Sequence, residues 1–277
     1  MAKTVDNLFK TTALKEGFSF EQEVFKILKK NKWEILPNRY YFDSFLNRTR
    51  EFDLLAYKYF SYKGVNIFVT LIIECKFNPH RIVFYSRKSD STDYQAQAYI
   101  GDYIDSFFDS GDILKVFKNL KKHKPVFQLT EQVFGYQTFE ETIETNKKDE
   151  SKKIYKSKSD WSEKNIFSGI NTTIQAVRFE QTIRDRNANL SNILFYFPVV
   201  IFSDGLYQAD LEKEKKTLIR KHTINYRAGM ATEASQAPVE FTVHVCDLKG
   251  LKTISKAFDY VSHKLITAIK NSHRNKI

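Results

Sequence analysis

Residues 66–76 read NIFVTLIIECK, and this run decides the fold. From Ile67 to Ile73 it is apolar except for Thr70, rich in β-branched residues, and bounded by turn signals. A continuously apolar strand of this kind predicts a central strand covered on both faces of a sheet. The run closes on Glu74, Cys75 and Lys76, so two charges stand at the end of the most apolar strand in the chain. Charges there are expensive unless they are paired or bind a cation.

Outward from this strand, residues 52–60 predict a second long strand, joined to residues 65–76 by a tight turn at Lys63 and Gly64. That turn sets Tyr62 opposite Val65, and the same antiparallel register carries Asp53 opposite Glu74. Directly opposed residues lie roughly 4.5–5.5 Å apart at Cβ. Two carboxylates that close repel each other unless a cation lies between them. Glu74 and Lys76 are two apart on one strand and share a face, where Lys76 can assist at a phosphate.

Upstream, residues 18–30 predict a helix with Ser19 as N-cap and Gln22 completing a capping box. Phe20, Val24, Phe25, Ile27 and Leu28 form its apolar arc. Glu21 falls inside that arc, Gln22 points away and Glu23 lies at its edge. A carboxylate on a buried helix face is costly unless paired or liganding, which singles out Glu21. Residues 33–36 and 39–42 read as extended segments, followed by a polar turn at residues 47–48.

Further along, residues 89–108 predict a helix and residues 112–121 a shorter one. Residues 144–165 are mostly Lys, Ser, Asp and Glu and read as a surface loop. Residues 170–184 have helical spacing. Residues 193–202 predict a strand whose Pro198 suggests an edge position or a bulge. Residues 238–248 alternate as a strand, and residues 251–269 form an amphipathic helix. No internal repeat is visible. The expectation is one α/β domain, with a core at about residues 17–125 and an extension at about residues 170–270 that enlarges the same sheet.

The chain has 277 residues, 42% of them hydrophobic, with a formal charge of +11 and a pI near 9.3. This basic balance points to a polyanionic partner, of which nucleic acid is the commonest. Glycine is scarce at 9 residues, and neither GxxxxGK[ST] nor GxGxxG occurs, which excludes glycine-rich phosphate loops. Cys75 and Cys246 lie in apolar runs without a CxxC, so free buried thiols are expected rather than a zinc site. The N-terminus carries no long apolar stretch, and the longest apolar runs are about half a membrane span. A cytoplasmic protein is expected, with no membrane partner. His222, His244 and His263 show no metal-site spacing.

FSFEQEVFKIL (residues 18–28), REFDLLA (50–56) and LIIECK (71–76) together resemble the PD-(D/E)xK, or restriction-endonuclease-like, nuclease superfamily. The shared pattern is a helical Glu, an Asp starting one core strand, and ExK ending the next. It spans residues 17–97, about the first third. No proline precedes Asp53, where Glu51 and Phe52 stand. The resemblance implies a mixed central sheet flanked by helices. It implies Asp53, Glu74 and the Cys75 carbonyl as Mg²⁺ ligands, with Mn²⁺ able to substitute. Lys76 would be the catalytic lysine, and Glu21 would support the metal or bind a second one. Gln95, or Gln97, would match a glutamine that some subgroups add from the following helix. The implied activity is nuclease action on DNA, within a superfamily range that includes restriction, anti-phage defence and repair.

A non-catalytic nucleic-acid-binding protein of the same fold, and an RNase, are the alternatives. Double-strand cleavage by such enzymes usually needs two active sites, so a homodimer or partner protein is a further expectation. Two clusters of interleaved aromatic and basic residues flank the implied site as candidate phosphate grips. One comprises Tyr40, Tyr41, Phe42, Arg48 and Arg50, the other His80, Arg81, Tyr85, Arg87 and Lys88.

Overall fold

The computed structural model describes residues 17–44, 46–62, 65–78, 80–88, 98–100, 131–145, 151–157, 161–185, 192–203, 205–213, 218–232 and 235–274. The chain begins there with helix α1 (Gly17–Lys30) and strands β1 (Glu34–Asp43), β2 (Arg48–Tyr62), β3 (Val65–Lys76) and β4 (Arg81–Lys88). Strands β5 (Ala98–Ile100), β6 (Glu131–Thr145) and β7 (Ser151–Ser157) precede helix α2 (Trp161–Asp185). Strands β8 (Asn192–Phe202), β9 (Leu206–Asp210), β10 (Leu218–Arg220), β11 (Thr223–Thr232) and β12 (Ser235–Cys246) lead to helix α3 (Leu248–Arg274).

These strands form one mixed 12-stranded sheet in the order β1-β2-β3-β8-β12-β11-β6-β4-β9-β10, with β5 added to β8 and β7 to β6. The C-terminal strands therefore extend the N-terminal sheet. Strand β3 lies between antiparallel β2 and parallel β8. Its odd residues Ile67, Val69, Leu71 and Ile73 pack with α1 and α3, whereas Ile72 packs on the α2 side. Helices cover both faces, which is why this stretch tolerates no polar alternation.

Helix α1 starts at Gly17, so Ser19 lies within the first turn and the expected capping box is not formed. The far end closes as a Schellman motif. Lys32 takes a φ of 59°, its N–H donates to Lys29 O, and Trp33 N–H donates to Leu28 O. Trp33 and Leu28 then join the same core. Of residues 33–36 and 39–42, expected as separate segments, residues 34–36 and 39–42 belong to the single strand β1, and Trp33 precedes it.

Three further expectations are corrected. Within the helix expected at residues 89–108, Ala98–Ile100 is a strand, with Ala98 opposite Phe195 and Ile100 opposite Ile193 of β8. Tertiary pairing overrides local periodicity there. The helix expected at residues 112–121, and Gln95 and Gln97, lie outside the described residues. Residues 144–165 are not simply a loop: they close β6, supply β7 and open α2. Register sets Glu140 opposite Lys156 and Glu144 opposite Lys152, a hairpin that apolar content does not reveal.

Pro198, the third case, lies on an interior strand opposite Ile72. On the other side of β8, β5 pairs only as far as Phe195, and β12 begins at Val199. The residue lacking an N–H falls where one neighbour hands over to the next.

Candidate active site

The site forms where β2 and β3 part. Their register holds from Tyr62↔Val65 to Leu54↔Ile73, as the turn predicts, and the paired run stops there. Face alternation also breaks at this level. Leu54 and Ala56 pack toward α1 and α3, but Phe52 packs toward α2. On β1, Ile35 and Tyr41 divide in the same way, across Asn38, whose φ is 52°. The expected pairing of Asp53 with Glu74 is accordingly replaced by another contact. Cys75 N–H donates to Asp53 Oδ2 at 2.6 Å, so the carboxylate takes an amide that a continued ladder would have used.

Glu74 is buried, at 6% exposure, between β2 and β8. Lys76 Nζ donates to Glu74 Oε1 at 2.6 Å, while Glu74 Oε2 is a buried oxygen with no hydrogen-bond partner. This is no solvated surface pair. Burial, reinforced by the Asp53 charge and opposed by Lys76 and Arg50, pushes the Glu74 carboxyl up to about 7. Asp53 is raised for the same first reason, although the Cys75 amide and Lys76 pull it down.

Glu21 is half-buried, whereas Gln22 and Glu23 are exposed, as the helical arc predicts. Burial first, then Asp53 and Glu51, push Glu21 up to about 7. The same acids surround Cys75, whose buried thiol is pushed well up, chiefly by burial and then by Asp53, Glu21 and Glu74. The structure thus brings Glu21, Asp53, Glu74, Cys75 and Lys76 together. Among the described residues, however, no three His, Cys, Asp or Glu side chains are gathered closely enough to hold a metal ion unaided. Asp53 and Glu74 each spend one oxygen on the protein itself.

Several supporting residues escaped the sequence reading. Gly169 on α2 is one: a Cβ there would lie 3.1 Å from Val200 Cγ1 and 3.3 Å from Lys76 Cε. The missing side chain lets the helix lie directly on the Lys76 stem. A lone glycine in a helical stretch of a glycine-poor chain was the available signal. Arg50 is another. Its Nη2 donates to Thr172 Oγ1 at 3.3 Å, and its Nη1 lies 3.6 Å from Asp43 Oδ2. Asp43 Oδ1 meanwhile accepts Leu46 N–H across the turn.

The second aromatic and basic cluster rides on β4, which pairs with β6 and β9 rather than β3. Its Arg81 stacks on Tyr207 at 5.2 Å. His244 is buried against Asn225 Oδ1, with burial pushing it down to about 3, and His222 Nδ1 meets Asp247 Oδ2 at 2.6 Å. Asp247 also caps α3 by accepting Gly250 N–H.

Comparisons with protein-family models, curated proteins and solved structures return no match for this chain.

Two predictions follow from this geometry. Folded Glu74 holds its proton up to about pH 7, against about 4.5 when unfolded. The folded state binds more protons across that window, so Glu74 lowers stability as pH rises through it. In EDTA, Glu74→Gln should match wild type near pH 4.5 and exceed it at pH 8 by on the order of 1–3 kcal/mol in a denaturant melt. An equal offset at both pH values would refute this. Gly169→Ala should cost about 1–2 kcal/mol by overpacking and raise the labelling rate of the Lys76 amine, read by mass spectrometry. Unchanged labelling would mean that the Lys76 stem is not held by α2.

Proposed function

We propose that this chain is a metal-dependent phosphodiester hydrolase of the PD-(D/E)xK, restriction-endonuclease-like type, acting on DNA. One observation carries the reading. Glu21, Asp53 and Glu74 are packed around a strand end with raised carboxyl values and an unpartnered buried Glu74 oxygen, beside a single lysine. Like charges so arranged repel in a dry site, and a hard divalent cation relieves both the repulsion and the orphaned oxygen. The order of parts fits as well: a helical Glu, an Asp on one strand, ExK ending the next, and a mixed sheet with helices on both faces.

Asp53, Glu74 and the Cys75 carbonyl would hold Mg²⁺ or Mn²⁺, with Glu21 in support. Such an ion supplies the positive charge that neutralises a phosphodiester and acidifies water. The chain contributes the rest. The Cys75 amide fixes Asp53, so its free oxygen is presented without rotamer search. The Lys76 ammonium, steadied by Glu74 and by Gly169 behind its stem, is placed to meet charge developing on phosphate oxygens. The +11 net charge draws a polyanion to the molecule.

A second reading is a non-catalytic nucleic-acid-binding protein of the same fold. The closed Lys76–Glu74 pair and the absence of a ready three-ligand cage among the described residues favour it.

Cleavage of plasmid, linear and single-stranded DNA, with RNA in parallel, separates the readings. Wild type should cleave DNA with Mg²⁺ or Mn²⁺ and not with EDTA, and Lys76→Ala should lose at least about a hundredfold in rate. Calcium should support binding with little cleavage, because its looser coordination positions water poorly. Equal cleavage by wild type and Lys76→Ala, or none by wild type, would contradict the hydrolase.

A further inference from the structure

Large apolar side chains stand exposed close to the carboxylates. On the edge strand β1, Tyr40 is 61% and Phe42 46% exposed. Register sets Tyr40 opposite Glu51 and Phe42 opposite Thr49 on β2, and all four side chains reach solvent. Opposed residues share a face, and alternate residues along a strand repeat it. Tyr41 and Asp43 turn the other way and are buried. The face bearing Tyr40 and Phe42 leads straight to the site, because Glu51 acts electrostatically on both Asp53 and Glu21. Phe18, 55% exposed, stands one helical turn before Glu21.

We propose that Tyr40 and Phe42, with Phe18 on the helix side, form a stacking shelf for unpaired nucleotide bases. The preferred substrate is then single-stranded nucleic acid or a frayed strand end, an inference that rests on the nuclease reading of the carboxylate site. Flat rings engage base faces, and a duplex hides those faces inside its stack. The competing occupant of an exposed edge strand is a second copy of the chain, paired backbone to backbone. Strand β1 resists that pairing. Pro37 has no N–H to offer, and Asn38, at a φ of 52°, interrupts the extended backbone next to it.

Fluorescence polarisation in EDTA tests the shelf without cleavage. The probes are a short labelled oligothymidylate and a blunt hairpin duplex of equal charge. Wild type should bind the single strand more tightly. Tyr40→Ala and Phe42→Ala should each weaken it on the order of tenfold, with the hairpin changed less than about twofold. Tyr40→Phe should bind as wild type, and the alanine variants should melt as wild type. Equal losses on both probes, or no loss on the single strand, would overturn the shelf. So would alanine variants that dissociate a dimer in sedimentation velocity. A wild type that stacks single strands yet cleaves nothing in Mg²⁺ would remove the nuclease reading and leave the shelf. A cleaving enzyme whose alanine variants bind normally would remove the shelf alone.

Discussion

Everything at the site follows from charges carried at the end of a strand that the fold must bury. Strand β3 is clamped between β2 and β8 and covered by helices on both faces, so Glu74 cannot escape to water. Among the described residues its hydrogen-bond partner is Lys76, two residues on, and its Oε2 has none. Burying a carboxylate this way costs several kcal/mol unless a cation or a proton compensates. The strain is local, because the rest of β3 is apolar and packed on both sides.

The surroundings sharpen that cost. Strand β2 leaves its ladder at Asp53, so a second carboxylate is drawn to the Cys75 amide beside Glu74. Helix α1 adds Glu21 from one face of the sheet, and α2 closes the other through Gly169. Burial first, and then neighbouring carboxylates, raises all three carboxyls, and Glu21 and Glu74 are pushed up to about 7, so protons stand in on those two for part of the positive charge that the cluster lacks. The described side chains alone form no complete cage, and the proposed cation would also use the Cys75 carbonyl.

Much of this was legible from local pattern. The apolar run ending in Glu74-Cys75-Lys76 identified the central strand, and the two-residue turn set a register that holds to Leu54↔Ile73. The helical arc separated half-buried Glu21 from exposed Gln22 and Glu23. What failed depended on tertiary partners. The Asp53–Cys75 bond exists because two strands part, and a left-handed Asn38 accompanies that break, neither of which has a periodicity. Pro198 misleads because its tolerance comes from a change of neighbour along β8. The β6–β7 pairing has little apolar content to announce it and resembles solvated sequence until its register is known.

The central claim is that the carboxylate cluster is a divalent-cation site, and proton-linked calorimetry tests it most directly. Mn²⁺ would be titrated into the protein at pH 7 in two buffers of different ionisation enthalpy. Glu21 and Glu74, both near a value of 7, are each about half protonated there, so binding one ion should expel about one proton. That release should fall in Glu74→Gln, and the affinity should collapse in Asp53→Asn. Saturable binding with no proton released, or unchanged in both variants, would place the ion elsewhere, and no saturable heat would contradict the account.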